Sequence, residues 1–478
     1  CQPEKISLTM STPIISVAQM RDWENASWAA GKSQADVIRR VGQILAQKIS
    51  ELTRPGDLVA LLAGKGHNGD DTRAVQNFLA DRRVALLNVT APDESLPQLS
   101  ELLAQHPALV VDGIFGLGLN RPLDDAWKKF IAALNAARPQ ILAVDVPSGL
   151  SADSGEPLGD AVRATVTLTV GAAKRGLIAP QAGAFVGRLE VAADVGLLPC
   201  PVKNELNWNS PADFQNFPPW RSAASHKNTY GHLAVVAGSL GFHGAAVLAT
   251  RGAQRAQPGL VTLYTMETVF HACAAQLQSA MVNVIKPQIV FPEKTSALLF
   301  GPGLASPTVP EDIKAVMRRV WLEARVPVVV DASALAWLPL YPLAKEVIRV
   351  ITPHPGEAAR LLKTTTAHVL ANRPHALREI SKHFCNCWVV LKGNQTLIGR
   401  STGDIAINNS GNPHLAQGGS GDLLAGYLAG LLAQPALQKN PGQTIAYAVW
   451  QHGAAADKLS ATRKNWTVED LAVELGNA

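Results

Sequence analysis

The chain has 478 residues, 47% of them hydrophobic, which is enough for roughly two or three ordinary cores. The formal net charge of +5 is small for this length and no long block of lysine or arginine occurs, so no nucleic-acid-binding role is indicated, only a weak preference for anionic ligands. No apolar stretch is long enough for a membrane helix, the first residues lack the apolar core of a signal peptide, and the five cysteines form no CxxC motif, so we expect a cytoplasmic protein with reduced thiols.

The first half of the chain alternates predicted helices with short apolar runs. Residues 18–51 have helical spacing, and the continuous apolar run at 58–63 is short enough for a buried parallel strand. A short helix is predicted at 74–79, and the strand pattern returns at 84–89, 109–111, 141–144, 166–170 and 189–192. This rhythm predicts a doubly wound α/β fold, in which ligands bind at the carboxyl ends of the strands.

Three polar loops follow strands of this half, at residues 64–71, 112–121 and 145–149. Asn68, Asp112 and Ser148 in these loops offer oxygen atoms, which suit a hard monovalent cation better than zinc or copper. Three polar turns without a ligand are the alternative, but their recurrence at three strand ends favours a site. Lys174 follows the strand at 166–170, within reach of a ligand phosphate, and as a lone lysine it is predicted to be a solvated surface residue.

The periodic pattern fails between residues 198 and 219, where proline, asparagine and tryptophan are scattered. This predicts a domain boundary, with a first domain at 1–205, a linker at 206–224 and a second domain at 225–478. In the second domain helices are predicted from 245, at 313–324 and at 357–362, and strands at 233–237, 260–264, 297–300, 328–330, 348–352 and 388–391. The second domain therefore also has an α/β pattern with loops at its strand ends.

Residues 418–422 (GGSGD) form a glycine-rich turn that ends in an acid and precedes the apolar run 423–433, which is typical of a buried helix. Glycines leave backbone N–H groups open to a phosphate, and the positive end of the helix points to the same place. Asp422 is then placed to take a proton from a hydroxyl that attacks a phosphoryl group. The alternative is a glycine-rich loop with an ordinary first-turn acid.

Three further motifs follow predicted strands and weigh against that alternative: GPGL at 301–304, TPHPGE at 352–357 and LKGNQT at 391–396. Together with GGSGD they resemble the motifs of ADP- or ATP-dependent NAD(P)H-hydrate dehydratases, which are ribokinase-like. The resemblance implies that Gly303, His354 and Asp422 contact the hydrated nicotinamide. It also implies a nucleotide site with Mg²⁺, formed by Lys392, Gly393, Asn394, Gln395, Thr396 and Gly421. Asp422 would be the base that deprotonates the hydroxyl at C6 as it attacks the terminal phosphoryl group.

Two of these residues also have simpler interpretations. His354, between two prolines, is also explained as a structural histidine, and Glu357 either begins the next helix or orients magnesium through water. The sequence departs from the dehydratase pattern mildly: Ser333 replaces the second acid of a DADAL motif, and Ala305 replaces a glycine after GPGL.

The three loops of the first half resemble the GNGNNGGDG, DGxFGTG and DxPSG motifs of the NAD(P)H-hydrate epimerases. The resemblance implies that Asn68, Asp112 and Ser148 bind K⁺. It further implies that the hydrated cofactor is contacted by His67, Asn68, Gly69, Asp70, Asp71, Gly116, Leu117, Gly118, Leu119, Asn120, Arg121, Pro122 and Asp145. Either Asp71 or Asp145 would assist proton transfer at the epimerising carbon, and the sequence does not choose between them.

The epimerase-like half departs from its family more than the second half does. His67, Asp70 and Thr72 stand where the family has Asn, Gly and Gly, and Asp70 brings a charge to a place expected to be bare backbone. A weakened epimerase, or a half kept only as a binding module, therefore stays open. The whole chain resembles the bifunctional NAD(P)H-hydrate repair enzymes, which implies NADH and NADPH hydrates as substrates, and a homo-oligomer is expected. The main alternative is a ribokinase-like kinase that releases a phosphorylated small molecule.

Overall fold

A computed structural model describes residues 12–286, 288–305, 309–340 and 347–478. These residues fall into two units, Thr12–Asn204 and Glu205–Ala478. The expectation about a signal peptide falls on residues that lie outside the described ranges. Within the described ranges, no helix combines the length and the apolar character that crossing a bilayer requires, and no cysteine forms a disulfide.

The first unit is an α/β unit with a parallel sheet. Its strands are β1 Thr12–Pro13, β2 Leu58–Ala63, β3 Arg83–Asn88, β4 Leu109–Gly113, β5 Ile141–Val144, β6 Val166–Val170 and β7 Arg188–Ala192. Strands β2 to β7 form a six-stranded sheet in the order β3-β2-β4-β5-β6-β7, with every pair parallel. Its helices are α1 Val17–Ala29, α2 Gln34–Leu52, α3 His67–Ala74, α4 Pro92–Ala104, α5 Asp125–Ala137 and α6 Gly183–Val186. The apolar runs therefore predicted the strands correctly to within a residue or two.

The structure refines two predictions in this unit. The stretch predicted to be helical at 18–51 consists of two helices, and Ser33 caps the second, its Oγ accepting from the backbone N–H of Asp36 at 3.3 Å. The polar stretch 64–71 is only partly a loop, since α3 begins at His67 and a 3₁₀ turn, Val75–Phe78, replaces the helix predicted at 74–79. The polar residues of this motif consequently lie on the first turns of a helix.

The second unit contains a larger sheet. Its strands are β8 Leu206–Trp208, β9 His232–Val236, β10 Leu260–Thr265, β11 Met281–Val284, β12 Ala297–Phe300, β13 Val328–Val330, β14 Arg349–Ile351, β15 Trp388–Leu391, β16 Leu397–Gly399 and β17 Ile405–Ile407. They follow the order β8-β17-β16-β15-β14-β13-β12-β9-β10-β11. Only the pairs of β16 with β15 and with β17 are antiparallel among the described residues. Strand β8 lies inside the segment predicted as a linker, because it pairs with β17.

Helices cover this sheet and fix the position of the glycine-rich turn. They are α7 His243–Arg255, α8 Phe270–Ala274, α9 Glu311–Glu323, α10 Pro355–Leu361, α11 Thr366–Ala371, α12 Arg373–His383, α13 Ser420–Leu432, α14 Pro441–Thr462 and α15 Val468–Glu474. Helices α7 and α13 touch through bare backbone: a Cβ added to Gly252 would collide with the carbonyl of Leu423, and one added to Gly426 with the carbonyl of Ala249. This close approach holds α13, the apolar run at 423–433, in the core.

Candidate active sites

Loops that follow four neighbouring strands meet at one edge of the second sheet. Strands β12 to β15 pair in parallel, so their carboxyl ends share that edge. There the nearly inaccessible Asp331 accepts hydrogen bonds through Oδ1 from Lys392 Nζ at 2.9 Å and from Thr352 Oγ1 at 2.6 Å. The acid and the lysine form an ion pair that joins the motifs at 352–357 and 391–396.

The glycine-rich turn before α13 faces Lys392. Gly419 precedes the helix with a φ of +95°, in the left-handed region that favours glycine. A Cβ added to Gly421 would lie 3.3 Å from Lys392 Nζ, whereas one added to Gly418 would meet open space. The bare backbone, the positive end of α13 and the ammonium group are therefore directed to one place, which is the arrangement that favours a bound anion.

Asp422 lies in the first turn of α13 among like charges. Burial, with the carboxylates of Asp331 and Glu357, raises the pKa of Asp422 to about 7, although the ammonium of Lys392 opposes the shift. Burial alone would lower the pKa of Lys392, but the same two acids and Asp422 together raise it above its usual value. Asp422 therefore exchanges its proton near neutral pH, which is the property that a general base needs.

The segment that carries Lys392 is shaped by Arg373, which the motifs did not indicate. Arg373 donates to the carbonyl of Asn394 at 2.6 Å, and through Nη2 to the carbonyls of Gln395 at 3.1 Å and Leu391 at 3.2 Å. Burial lowers the pKa of this guanidinium to about 10, so it stays charged at neutral pH. The carbonyls lie 18 to 22 positions away in the chain, and no local pattern links them to the arginine.

His354 has the structural role that its alternative interpretation predicted. Its Nδ1 accepts from the backbone N–H of Gly356 at 3.1 Å, while the Glu357 carboxylate accepts from the backbone N–H of His354 at 2.9 Å. The pair is a capping box at the start of α10. Because 52% of the imidazole side chain is exposed, capping leaves the rest of the ring open to a ligand.

Gly303 lies in the loop after β12 with a φ of +64°. Its carbonyl accepts from Ser239 Oγ at 2.7 Å, and a Cβ there would collide with the turn at Phe242. The GPGL motif therefore packs against a second turn, residues 238–242, which leads into α7.

His452, another residue that the motifs did not indicate, lies on α14 below the first turn of α13. Its Nε2 is 3.5 Å from Ser420 Oγ. Burial lowers the pKa of His452 to about 4, so the imidazole is neutral at pH 7. It supports the turn without adding a positive charge.

A buried carboxylate lies at the centre of the site in the first unit. Asp112 is inaccessible to solvent and accepts from Ser148 Oγ at 2.6 Å and from Ser148 N at 2.8 Å. Asn68 Nδ2 donates to the carbonyls of Val144 at 2.6 Å and Phe115 at 2.9 Å, and Ser148 Oγ accepts from Phe115 N at 2.8 Å. These contacts bring the three predicted cation ligands together. Burial raises the pKa of Asp112 to about 6, opposed by the hydrogen bonds from Ser148 and the backbone.

Lys174 was predicted to be a solvated surface residue, and this was wrong. Its side chain is fully buried, and its Nζ donates to Asp145 Oδ1 at 2.5 Å. The reason is the fold: β5 and β6 are neighbours, so the residues that follow them meet at one sheet edge. A lysine 29 positions away from its acid gives no sign of this in the sequence.

Acids gather near Asp145. Burial raises the pKa of Asp71 well above its usual range, and the charges of Asp145, Asp70 and Glu24 raise it further. Burial likewise raises the pKa of Glu24, with Asp145 adding to the effect. Glu24 lies on α1, far from every recognised motif, and sequence reasoning missed it.

The three departures from the epimerase pattern are accommodated locally. Asp70 pairs with Arg73 at 2.9 Å, the ring of His67 lies 2.7 Å from Gln34 Nε2, and the buried Thr72 donates to the carbonyl of Asn68 at 2.8 Å. The Asp70 charge therefore has a partner cation on the same helix.

The remaining predicted contact residues lie in the loop after β4. Residues 116–122 are half-buried or exposed, and a Cβ added to Gly116 would lie about 3 Å from the Asn68 amide. Arg21 of α1 donates to the carbonyl of Leu117 at 3.1 Å. This loop therefore borders both the Asn68 amide and helix α1.

Comparison with known proteins assigns the chain to a family. A family model described as NAD(P)H-hydrate dehydratase matches residues 233–477, and one described as YjeF-related protein N-terminus matches residues 84–176. A bifunctional NAD(P)H-hydrate repair enzyme from Gloeobacter violaceus is 33% identical over 97% of this chain and 96% of its own length. The chain belongs to the bifunctional NAD(P)H-hydrate repair enzymes. A second repair enzyme, from Coxiella burnetii, is 31% identical over 92% of this chain.

A solved structure supports the fold of the second unit. The ADP/ATP-dependent NAD(P)H-hydrate dehydratase from Bacillus subtilis, co-crystallised with ATP and Mg²⁺, is 31% identical and covers 56% of this chain and 95% of its own, with a TM-score of 0.51. The predicted fold class, two α/β units of which the second is ribokinase-like, is confirmed. The predicted function, an epimerase and dehydratase for repair of hydrated NAD(P)H, is confirmed as well, and the small-molecule kinase is not favoured.

Proposed function

We propose that the second unit dehydrates the S form of NADH and NADPH hydrates at the site around α13, with Asp422 as the base. The observation that carries this proposal is the position of Asp422, which lies in the first turn of α13 with a pKa raised to about 7 by burial. We assign epimerisation of the hydrates to residues 1–205 and dehydration to residues 225–478. A cytoplasmic location and a homo-oligomer remain predictions.

The dehydration follows from the groups at the site. Asp422 takes the proton of the hydroxyl at C6 while the hydroxyl oxygen attacks the terminal phosphoryl group of the nucleotide. The backbone of 418–421 and the Lys392 ammonium stabilise the negative charge on that group. The phosphate ester then leaves from C6, assisted by the electron pair of the ring nitrogen, and loss of a proton from C5 restores the dihydronicotinamide. His354 and Gly303 contact the hydrated ring.

The residues present fit a nucleotide with Mg²⁺. Lys392, Gly393, Asn394, Gln395 and Thr396 form the nucleotide segment, with Gly421 opposite. Two of its backbone positions have positive φ, +145° at Gly393 and +55° at Gln395, so the loop has a defined shape that Arg373 holds. Mg²⁺ commonly keeps several waters and binds to substrate phosphates, and Glu357, at the start of α10, would hold it through water. Mg²⁺ would neutralise charge on the phosphates.

The dehydration rate should depend on the ionisation of Asp422. Because the base acts only when deprotonated and its pKa is about 7, kcat/KM should be level above pH 7 and fall about tenfold for each pH unit below it. The measurement is the initial rate of NADH formation at saturating nucleotide between pH 5.5 and 9. A profile that stays flat down to pH 5.5 contradicts the assignment.

We propose that the first unit epimerises the hydrates beside a K⁺ ion bound by Asn68, Asp112 and Ser148. The residues fit a monovalent cation, because Asp112 is a fully buried carboxylate that accepts, within the described part of the chain, only from a hydroxyl and from backbone N–H groups. K⁺ would supply the missing positive charge and order the loops around the ligand. The cofactor contacts are those given by the three loop motifs, from His67 to Asp71, from Gly116 to Pro122, and Asp145.

Removal of K⁺ should weaken epimerisation and leave dehydration intact. With Na⁺ or a tetraalkylammonium ion in place of K⁺, we expect a slower exchange between R and S hydrates, whereas the rate on the S hydrate stays within about twofold, since Asp112 belongs to the other unit. Asp112→Asn should abolish the response to K⁺, because the charge that the ion neutralises is gone. An epimerisation rate that is the same in all three salts would exclude a K⁺ site.

A further inference from the structure

All three N–H donors of the Lys174 ammonium group form hydrogen bonds within the protein. Its Nζ donates to Asp145 Oδ1 at 2.5 Å, to the carbonyl of Val170 at 2.7 Å and to Thr169 Oγ1 at 3.0 Å. An ammonium has three donors, so none is left for a ligand, and the side chain is inaccessible to solvent. Lys174 therefore acts on Asp145 and does not touch the substrate.

The hydrogen bonds to Asp145 are confined to one of its two carboxylate oxygens. Oδ1 accepts from Lys174, from Thr169 Oγ1 at 2.9 Å and from Val170 N at 3.0 Å, whereas Oδ2 has no hydrogen-bond donor in the described part of the chain. The residue also has a φ of +63°, a strained value for an aspartate, which persists only where the surroundings impose it. Oδ2 is thus the oxygen left for a ligand.

We propose that Lys174 is a positioning residue of the epimerase site, which holds Asp145 so that Oδ2 alone is presented to the hydroxyl of the epimerising carbon. This inference rests on the epimerase function proposed above. It makes Asp145 the base, and so chooses between the two acids that the sequence left open.

The reaction balances with Asp145 as base and Asp71 as acid. Oδ2 of Asp145 takes the hydroxyl proton, the O–H electron pair forms a C=O bond at C6, and the C6–N1 bond breaks. Its electron pair stays on N1, which takes a proton from Asp71. Rotation about C5–C6 turns the aldehyde, N1 attacks its other face, and the two protons return to their donors. No oxidant, reductant or further reactant is consumed.

The environments of the two acids support this division of roles. Three donors, one of them a cation, stabilise negative charge on Asp145. Burial and the charges of Asp145, Asp70 and Glu24 raise the pKa of Asp71 well above its usual range, a shift that favours the protonated form which an acid needs. Acids whose environments differ in this way are typical of an acid–base pair.

The groups that face Asp145 also determine the pH response to a change at Lys174. They are the Lys174 ammonium and, through their charges, Asp71 and Glu24, and Glu24 in turn faces His67 and Arg21. Among them, Lys174 is the cation that contacts Asp145 directly. Removing it leaves the carboxylate of Asp145 without a contacting cation, so the acid side of the pH profile of epimerisation is the readout that should respond.

The test is Lys174→Met in the intact chain, with the exchange of R and S hydrates followed by chromatography without nucleotide, so that dehydration does not occur. We expect kcat for epimerisation to fall roughly 10²-fold or more, with KM within about threefold, and the acid side of the kcat/KM profile to move to higher pH. The matched control is Lys48→Met, which removes a lysine whose Nζ is 2.8 Å from Glu190 in the same unit and should keep the parental profile.

Thr169→Val is the second variant, because Lys174→Met leaves a buried carboxylate without its cation and could prevent folding. It removes one donor to Oδ1 and keeps the charge, so we expect a smaller loss of kcat in the same direction and a smaller shift of the profile. A folded Lys174→Met with parental kcat and profile, or a loss confined to KM, overturns the inference; if that variant does not fold, a parental Thr169→Val does so. If the unmodified chain leaves the R hydrate unchanged, the proposed epimerase function is wrong, and the inference about Lys174 is wrong with it. The unmodified chain alone gives this result, so it is distinguishable from a failure of the inference, which only the variants show.

Discussion

Replacing Asp422 by Asn should lower the rate of hydrate dehydration roughly 10²–10⁴-fold, because the amide cannot take the proton of the attacking hydroxyl. The change keeps the shape of the side chain, and the nucleotide is held by the backbone around Lys392 and Gly421, so nucleotide binding should stay within about threefold of the parent. The measurements are NADH formation with the S hydrate and nucleotide affinity by calorimetry.

The matched control for this variant is Asp404→Asn, which changes an exposed acid in the same unit. It should retain the parental rate, and the epimerisation rate of both variants should be unchanged because Asp422 and Asp404 lie outside the first unit. Dehydration by Asp422→Asn at the parental rate would mean that another group is the base.

Replacing Lys392 by Met should destabilise the second unit by about 3–5 kcal/mol and abolish dehydration. The reason is the ion pair with Asp331, whose side chain is 2% exposed: without the ammonium, its charge is left buried beside Asp422 and Glu357. Urea unfolding of the intact chain, followed by tryptophan fluorescence, measures the loss.

Lys458→Met is the control for the loss of a lysine ion pair. Its Nζ is 2.8 Å from Glu474, but the lysine side chain is 53% exposed, so water screens the pair and about 0–1 kcal/mol is expected. Equal decreases in the free energy of unfolding for the two variants would show that the buried pair between Lys392 and Asp331 contributes no more to stability than an exposed pair.

The sheets were predictable where an apolar run was long enough to define a strand by itself. The run at 58–63 is β2, and all six of its residues are buried. Strand β13 is just as short but consists of three valines, and it was predicted. Strands β16 and β17 were missed because Gly399 and Ala406 interrupt their three-residue runs, and their pairing partners define them. The same reason hid β8 in a segment without periodicity.

The sequence predicted which residues form the candidate sites, but it did not predict which charged groups surround them. The GGSGD motif predicted an acid at the start of a helix. The acids and the lysine that shift the pKa of Asp422 lie 30 to 91 positions earlier in the chain, and only the fold brings them close to it. Lys174 is the clearest failure, since a lysine after a strand is ordinarily solvated and its acceptor lies 29 positions away. Capping by His354, in contrast, is local, and the sequence contained that alternative.

The most direct test is to follow the oxygen of the C6 hydroxyl. S hydrate labelled with ¹⁸O at that hydroxyl is converted in a single turnover in unlabelled water with ATP, and the inorganic phosphate is analysed by mass spectrometry. If Asp422 deprotonates the hydroxyl for attack on the phosphoryl group, the C6–O bond breaks after the O–P bond has formed, and the label appears in phosphate. Label recovered in water, with unlabelled phosphate, would contradict phosphoryl transfer at this site.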